Sequence, residues 1–422
     1  MKIVVYPHDL KIGGSQLNAI EIAAQVQSLG HACVVFGYPG PLMDRIAQLG
    51  LEFIASPEPG KRPSPAVMIA LGRLVEEREI DVVHGYEWPP AVESWLVAAR
   101  QRRSVAAVGT VMSMAVAPFL PRTLPLVVGT EQIASAERAK RRRLIAVIEP
   151  PVDVQSNAPR AARGVDDFRS QHGMNDGSLN VVSVSRLAHE LKLEGLLVAI
   201  DTLPKLGGQQ PIRLVIVGDG PARELVAARA EAANRDAGRT AVVLTGELPD
   251  PRPAYDAADI LLGMGGSALR SLAFAKPLVV QGENGFWRLL SDETVDEFLW
   301  TGWYGVGTGP ENGPSALRNA IGPLLNDIDR RRELGKLGRE LVVQRFGLKA
   351  AAARQLRIYQ AALDVKPDSV RLSIDGVRSA VNYTSHVASR RIARIRGRHT
   401  IDDFNRSPVV ATGPRRPVAM SR

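Results

Sequence analysis

Short apolar runs alternate with longer amphipathic stretches through the first 345 residues of the 422-residue chain. The short runs, such as Ile3–Tyr6 and Ala32–Phe36, are rich in β-branched residues, as is typical of buried strands. The longer stretches, such as Gln16–Leu29 and Pro65–Arg78, carry apolar residues at helical spacing. The other strands predicted in this half are Val82–His84, Val105–Val108, Leu126–Val128 and Ala146–Ile148. Alternation of this kind predicts a parallel sheet covered by helices on both faces.

The same pattern begins again in the second half of the chain. The strands predicted there are Val181–Val184, Arg213–Val217, Ala241–Thr245, Ile260–Leu262 and Leu278–Gln281, and the helices are Glu194–Leu206, Ala222–Asn234 and Leu269–Ala275. The halves meet near Pro150-Pro151, where consecutive prolines favour a stiff linker. The chain is therefore predicted to be an α/β protein of two doubly wound domains. Ligands of such domains bind at the carboxyl ends of the strands, so a cleft between facing domains is the expected site.

The C-terminal part of the chain has a different character. Helices are predicted over Asp327–Arg345 and Lys349–Leu363, and the prediction of order weakens beyond Leu363. Residues 366–422 carry 12 Lys and Arg against 4 acidic residues, whereas the whole chain has a net charge of +9. The body is thus near neutral, which disfavours a nucleic-acid-binding protein. The basic tail has two interpretations, a solvated terminus or a contact with an anionic membrane surface.

Cysteine content and hydropathy indicate the compartment. Cys33 is the only cysteine, so an intramolecular disulfide is impossible and a reducing compartment is favoured. The apolar run at the N-terminus is too short for a signal-peptide core and is predicted to be a strand. The longest uncharged stretch, Ser104–Pro121, contains two prolines and a glycine and is not expected to span a membrane. A cytoplasmic location is therefore predicted.

Two glycine-containing turns follow strands in places where an anion could bind. Gly13-Gly14 follows the first strand and opens a helix, whose N-terminal N–H groups attract anions, although a tight turn is the alternative. A second turn joins a strand to a helix and contains Gly263, Gly265, Gly266 and Ser267. Three glycines in four positions cost backbone entropy, so a phosphate cradle is favoured there over a purely structural turn.

Two cations follow the first strand of the second half, Arg186 and Lys192. An arginine fork and a lysine point charge can bind a diphosphate together, although most such pairs belong to solvated loops. The next strand ends in Gly218-Asp219-Gly220-Pro221. Arg223 occupies the third glycine position of a dinucleotide fingerprint, so a tight turn is predicted there instead of an NAD site.

The residue pattern does not indicate metal binding, a P-loop or a nucleophilic serine. The seven histidines and the cysteine show no paired spacing, so no metal site is predicted. The sequence contains neither a P-loop nor a nucleophile elbow. His84 closes a strand at the expected ligand edge and is either a catalytic candidate or a satisfied core histidine. Glu87, close to it, either contacts an acceptor or packs.

In their order and spacing, these segments resemble the family 4 glycosyltransferases of the GT-B fold over about residues 1 to 360. The glycine pair after strand one, the Asp-Val-Val-His strand end and the linker of that family resemble Gly13-Gly14, Asp81–His84 and Ile148–Asp153. Its donor-phosphate element resembles Ser185-Arg186-Leu187 with Lys192. Its Gly-Asp-Gly-Pro and Tyr-x-x-Ala-Asp elements are similar to Gly218–Pro221 and Tyr255–Asp259.

The chain departs from the family pattern at three positions. The family carries two glutamates eight positions apart, and alignment on Lys276-Pro277 puts Leu262 and Arg270 in their places. In the family those glutamates hold sugar and ribose hydroxyls, so donor recognition is expected to differ here. Met112 stands where the family has a histidine near the acceptor. The departures leave two hypotheses open, a divergent enzyme or a GT-B sugar-nucleotide-binding protein without turnover.

The resemblance implies sugar transfer from a nucleotide-sugar donor to a carbohydrate or lipid-linked acceptor, with retention and without a metal or cofactor. Cations and helix N-termini would stabilise the charge that builds on the leaving diphosphate. The implied catalytic residues are Arg186, Lys192 and His84. The implied donor-binding residues are Gly13, Gly14, Gly218, Gly263, Gly265, Gly266, Ser267 and Arg270. Such an enzyme would serve envelope polysaccharide or glycolipid synthesis.

The resemblance also implies how the chain is divided. Residues 1–153 would form a Rossmann-like domain on the acceptor side, and residues 154–345 a domain that binds the nucleotide-sugar. Residues 346–365 would form a helix that packs back towards the N-terminal domain, and residues 366–422 a basic, flexible tail. No nucleic-acid partner is expected.

Overall fold

The computed structural model of the chain describes residues 1–140, 144–160, 162–206, 210–365, 368–395 and 404. It divides into two compact units, unit 1 (Met1–Pro150 with Leu348–Arg422) and unit 2 (Pro151–Gly347). The change of unit falls between the two linker prolines, close to the boundary expected at residue 153. The chain returns to unit 1 at Leu348, close to the boundary expected at residue 345.

The strands form one sheet in each unit. They are β1 (Lys2–Tyr6), β2 (Ala32–Gly37), β3 (Glu52–Ala55), β4 (Val82–Tyr86), β5 (Ala106–Val111), β6 (Leu126–Val128), β7 (Ile145–Val147), β8 (Leu179–Val184), β9 (Ile212–Val217), β10 (Val242–Gly246), β11 (Ile260–Gly263), β12 (Leu278–Gln281) and β13 (Trp287–Leu289). Unit 1 has the parallel order β3-β2-β1-β4-β5-β6-β7. Unit 2 has the order β10-β9-β8-β11-β12-β13, in which β13 is antiparallel to β12. Both sheets confirm the predicted doubly wound α/β class.

The helices connect these strands and complete the C-terminal part. They are α1 (Gly14–Ser28), α2 (Met43–Gln48), α3 (Pro65–Glu77), α4 (Trp88–Ala98), α5 (Glu131–Arg138), α6 (Val165–Gln171), α7 (Leu193–Thr202), α8 (Arg223–Ala237), α9 (Arg252–Ala257), α10 (Gly266–Ala273), α11 (Val295–Thr301), α12 (Gly313–Leu325), α13 (Ile328–Arg345), α14 (Leu348–Leu363) and α15 (Ser369–Ile395). Most of these helices follow one strand and precede the next, as crossovers between parallel strands require.

Each sheet is covered on both faces, which explains why its strands are apolar throughout. In β1, Ile3 belongs to one core cluster and Val4 to another, because successive strand residues point to opposite faces. Ala19 of α1 and Tyr359 of α14 join the Ile3 cluster, while Leu71 of α3 joins the Val4 cluster. α14 is thus part of the core of unit 1.

Unit 2 repeats this arrangement around β8. Val181 belongs to a cluster with Leu196 of α7 and Leu317 of α12. Val182 belongs to the opposite cluster, with Leu269 of α10. Because both faces of β8 are buried, the side chains that can meet a ligand are those beyond its carboxyl end.

Several elements, most of them short, are not predicted by the sequence patterns, namely β3, β13, α2, α4, α5, α6, α9, α11 and α12. β3 and β13 are short edge strands without a fully apolar run. α4 begins Trp88-Pro89-Pro90, and its prolines occupy the first turn, where a missing N–H costs nothing. These prolines therefore mark the start of a helix.

The expectation of weak order after Leu363 is wrong for Ser369–Ile395, which form the 27-residue helix α15. Its inner face packs on unit 1, where Leu372 and Tyr383 join the cluster that contains Phe119. Asp375 accepts hydrogen bonds from the Thr123 amide at 2.6 Å and its hydroxyl at 2.8 Å. These two residues lie 252 positions apart in the sequence, so local composition could not reveal their contact.

Candidate functional site

In unit 2, three loops carry the residues singled out by the sequence. β8 lies between β9 and β11, and all three strands are parallel. Their carboxyl ends therefore lie at one edge of the sheet, together with the loops that follow them. These loops contain Arg186 and Lys192, the Gly218–Pro221 turn, and the Gly265–Ser267 turn. The sheet thus brings most of the predicted donor-side residues to one edge.

Lys192 is the most unusual cation at this edge. It is partly buried, and burial lowers the pKa of its ammonium to about 8. Among the described residues its ammonium has no hydrogen-bond or ion-pair partner. A positive charge that is partly buried without a partner is energetically unfavourable, and a bound anion would stabilise it. Arg186 is exposed, and its guanidinium likewise has no partner in the described part of the chain.

The turn between β11 and α10 is built around Gly265. Gly265 has φ 54° and ψ −131°, a conformation essentially restricted to glycine, and its N–H donates to the Trp303 carbonyl at 2.9 Å. The Ser267 hydroxyl donates to the Met264 carbonyl at 3.0 Å and so closes the turn. No side chain caps the N-terminus of α10. Its first N–H groups, on Gly266 and Ser267, remain available to an anion.

Gly263 and Gly218 have structural reasons to be glycine. A Cβ on Gly263 would lie 3.1 Å from the Ala268 backbone, and a Cβ on Gly218 would lie 2.0 Å from the Ser185 carbonyl oxygen. Gly218 also has φ 139°. It therefore lets the end of β9 pack against the loop that carries Arg186. This geometry favours the tight-turn interpretation of Gly218.

Arg270 lies on α10 and is partly buried. Burial raises the pKa of the Tyr255 phenol to about 12, and the nearby Arg270 charge opposes that rise. Tyr255 stacks on Phe274 within the core of unit 2. Arg270 therefore lies beside an aromatic pair of the core, and its role towards a donor stays a prediction.

In unit 1, the loop after β1 leads to Gly13, the N-cap of α1, and to Gly14, the first residue of that helix. α1 has no side-chain cap, and a Cβ on Gly14 would meet no atom within 4 Å. Glu87, at the end of β4, has φ 66° and accepts hydrogen bonds from the Ser15 hydroxyl (3.1 Å) and the Met112 amide (2.9 Å). Its second oxygen accepts from the Ser113 hydroxyl at 2.8 Å. Glu87, which follows β4, thus ties the first turn of α1 to the loop after β5, which favours the packing interpretation.

His84 is fully buried in the middle of unit 1. Its Nδ1 lies 2.7 Å from the Tyr359 hydroxyl of α14, and its Nε2 lies 2.7 Å from the Thr110 hydroxyl. Burial lowers the pKa of the imidazole to about 3, so the ring is neutral at ordinary pH. Both nitrogens are engaged and no surface is open to a substrate. Of the two interpretations of His84, the geometry therefore favours the core histidine, which fastens α14, over the catalytic residue.

A substitution of His84 should accordingly affect stability and spare the site. His84→Ala would leave two buried hydroxyls without partners and open a cavity, so we expect the unfolding free energy to fall by about 2–5 kcal/mol. Chemical denaturation measures that loss, and donor titration of the remaining folded protein should give an unchanged affinity. A stable His84→Ala protein that has lost activity would restore the catalytic assignment.

Two further findings concern the described residues. No group of three or more His, Cys, Asp or Glu side chains within them is arranged to hold a metal ion. No helix in the same part of the chain is long and apolar enough to cross a membrane.

Comparison with known protein families identifies the chain. The profile described as "Glycosyl transferase 4-like domain" matches residues 13–152. The profile described as "Glycosyl transferases group 1" matches residues 178–327. Together they span more than half of the chain. The chain belongs to the group 1 (family 4) glycosyltransferases.

Relatives of this group 1 glycosyltransferase support that assignment. A 135-residue stretch is 30% identical to the alpha-monoglucosyldiacylglycerol synthase of Streptococcus pneumoniae, and it covers 30% of this chain and 30% of the relative. The structure of a glycosyltransferase from Rickettsia africae superposes with a TM-score of 0.68 at 17% identity, covering 86% of this chain and 99% of the other. Anabaena HepE in complex with UDP-glucose gives 0.67 at 15% identity, with coverages of 86% and 100%. These likenesses establish the two-domain GT-B fold.

Sequence reasoning about this group 1 glycosyltransferase misses two acidic residues that fix the backbone on either side of Lys192. The Leu191 amide, at φ 65°, donates to Glu283 at 3.3 Å, and the Tyr304 hydroxyl donates to the other oxygen of Glu283. Glu194 accepts from the amides of Asn284 (3.0 Å) and Gly285 (2.6 Å). The loop after β12 thus holds the residue before Lys192. The signal available in the sequence is an acidic residue close to glycines directly after a strand.

Proposed function

We propose that the chain transfers a sugar, of the hexosyl type, from a nucleotide-sugar donor to a carbohydrate or lipid-linked acceptor. The observation that carries this proposal is Lys192, a partly buried ammonium without a partner among the described residues at the ligand edge of unit 2. An anion such as a diphosphate would supply the missing charge. The proposal agrees with the names of the relatives, which include a glucosyl-lipid synthase and a complex with UDP-glucose.

The proposed mechanism follows from where charge develops. Cleavage of the bond between sugar and phosphate places negative charge on the leaving nucleoside diphosphate. The groups that can stabilise this charge at that edge are Arg186, Lys192 and the amides of Gly266 and Ser267. They are in place before the reaction, and preorganised stabilisation of this kind is usually the largest single contribution to catalysis. Because these groups can supply the stabilisation, we propose that the transfer needs no metal ion.

We propose further that the transfer proceeds with retention. An oxocarbenium-like transition state needs no strong base, because the leaving phosphate can accept the proton of the acceptor hydroxyl. This route accommodates Met112 in place of the family's acceptor-side histidine. It also accommodates the buried, neutral His84. Inversion of the anomeric centre, measured by NMR of the product, would contradict the route.

Donor binding is expected to depend on pH through Lys192. Burial lowers its pKa to about 8, so the ammonium is protonated below that pH and loses its proton above it. A diphosphate binds the cation, so we expect the dissociation constant of the donor to rise by up to about tenfold per pH unit above pH 8. Calorimetric titration across this range measures the effect. Lys192→Arg, which keeps its charge, should lose the inflection. If Lys192→Arg showed the same inflection, the group that titrates would be a residue other than Lys192.

A sugar-nucleotide-binding protein without turnover is the second candidate function. Its support is the replaced glutamate pair: Leu262 lies in β11 and is buried in the core of unit 2, and Arg270 replaces the other glutamate. Neither side chain can accept hydrogen bonds from sugar hydroxyls. Donor binding without release of a nucleoside diphosphate would distinguish this candidate from the transferase.

We also propose a peripheral location at the inner membrane face, through the basic tail. Arg390, Arg391 and Arg394 lie in the described part of this segment, and Arg396 and Arg398 lie outside the described residues. Each arginine near an anionic lipid surface contributes roughly 1 kcal/mol, so five could hold the protein reversibly. The lipid in the name of the Streptococcus pneumoniae relative is consistent with this location.

A further inference from the structure

α15 is a helix fixed on unit 1 by its inner face. Asp375 holds the loop at Thr123, and the Ser379 hydroxyl donates to the Phe119 carbonyl. The Tyr383 hydroxyl donates to the Arg62 carbonyl, and its ring lies 5.2 Å from that of Phe119. These contacts repeat at intervals of four residues, so one face of the helix is turned towards the protein. The opposite face is thereby turned outward.

The outward face of α15 is apolar, which is the reverse of an ordinary surface helix. Four aliphatic side chains with exposures of 62–67% follow one another at helical spacing, and two more, with exposures of 50% and 84%, lie on the same face about three turns further along: Val370, Ile374, Val377 and Val381, then Ile392 and Ile395. We call these six residues the outer stripe. The helix has 27 residues and is therefore about 40 Å long. An exposed apolar stripe of this length on a fixed element marks an interaction surface.

The charges beside the outer stripe indicate what it contacts. α15 contains five arginines and a single acidic residue, Asp375, which is buried and paired with Arg378. Arg391 and Arg394 are exposed and have no partner among the described residues. A second copy of the chain would bring arginines against arginines, which is unfavourable. An anionic surface complements both the charge and the apolar stripe.

We propose that the outer stripe docks on an anionic lipid surface, with its aliphatic side chains in the boundary between headgroups and acyl chains and the arginines on the headgroups. An amphipathic helix that lies in the interface has this combination of features. The proposal differs from an electrostatic tether because a fixed helix face makes the contact and apolar burial contributes to it. It does not depend on sugar transfer.

The test is co-sedimentation of the full-length chain with vesicles of phosphatidylglycerol and phosphatidylcholine, without any donor. Ile374→Ser/Val381→Ser should reduce the partition coefficient on the order of tenfold, because two exposed aliphatic groups no longer enter the interface. The matched control is Ile69→Ser/Ile328→Ser, which removes two aliphatic side chains of similar exposure (57% and 52%) elsewhere on the surface. The control should bind as the unmodified chain does.

Arg391→Gln/Arg394→Gln should weaken binding by roughly fivefold per charge.

Three results would overturn the proposal. The first is an unmodified chain that stays in the supernatant with anionic vesicles. The second is undiminished binding by Ile374→Ser/Val381→Ser, which would leave the arginines alone responsible. The third is a dimer in the absence of vesicles that dissociates on the same substitutions, since the outer stripe would then face a second copy. Far-ultraviolet circular dichroism of each variant establishes that the protein is folded.

Discussion

Replacement of Lys192 or Arg186 by alanine is expected to lower turnover of the nucleotide-sugar by about 10²–10³-fold while the protein stays folded. The cost corresponds to about 2.7–4 kcal/mol, the usual loss when one preorganised group at a developing negative charge is removed. Lys192 should show the larger effect, because it is partly buried and its charge is less screened than that of the exposed Arg186. Steady-state kinetics of both variants measure the loss.

A matched control separates this effect from a change in surface charge. Lys205 is an exposed lysine of unit 2 that follows α7, at the opposite end of that helix from Lys192. Lys205→Ala removes the same charge without touching the ligand edge, so its turnover should match that of the unmodified chain. Near-normal turnover in both Lys192→Ala and Arg186→Ala would refute the assigned diphosphate site.

Gly265→Val is expected to weaken donor binding by about 100-fold. Gly265 has φ 54° and ψ −131°, and a β-branched residue in such a conformation is strained by about 1–3 kcal/mol. Relief of that strain would shift the first turn of α10, so the amides of Gly266 and Ser267 would no longer be directed at the phosphate. Calorimetric titration of the folded variant with donor measures the change.

The control for Gly265→Val is a glycine with an ordinary conformation and open surroundings. Gly72 lies within α3 and has a helical, negative φ, and a Cβ added to it would meet only the end of the Gln101 side chain within 4 Å, at an ordinary contact distance of 3.8 Å. Gly72→Val should therefore leave donor affinity unchanged. If folded Gly265→Val binds the donor as tightly as Gly72→Val, the turn is not a ligand cradle.

The parts of the site that the sequence predicts are those encoded locally. The Gly263–Ser267 turn is recognisable because glycines concentrate between a buried strand and a helix. Arg186 and Lys192 are recognisable because they follow β8 at a short distance. The strand alternation that places them at one edge is itself a local pattern.

The parts that the sequence does not predict depend on contacts distant in the chain. His84 is a catalytic candidate by its predicted position at the end of a strand, but β4 continues to Tyr86 and Tyr359, 275 positions later, occupies the Nδ1 of His84. Glu283 supports Leu191 across 92 positions, and nothing near either residue indicates the pairing. The sequence does not predict α15, because its apolar stripe faces outward and its inner face makes polar contacts. This pattern is the reverse of an ordinary surface helix. In each case tertiary packing decides a role that the local sequence leaves open.

The most direct test of the proposed function is release of nucleoside diphosphate by the purified full-length chain, assayed with UDP-, GDP- and ADP-sugars and a lipid-linked or carbohydrate acceptor. We expect one nucleotide class to support acceptor-dependent release, and Lys192→Ala to remove it while Lys205→Ala does not. Donor binding without release would contradict the transferase and favour the binding protein. The absence of both binding and release with every donor would contradict the nucleotide-sugar site itself.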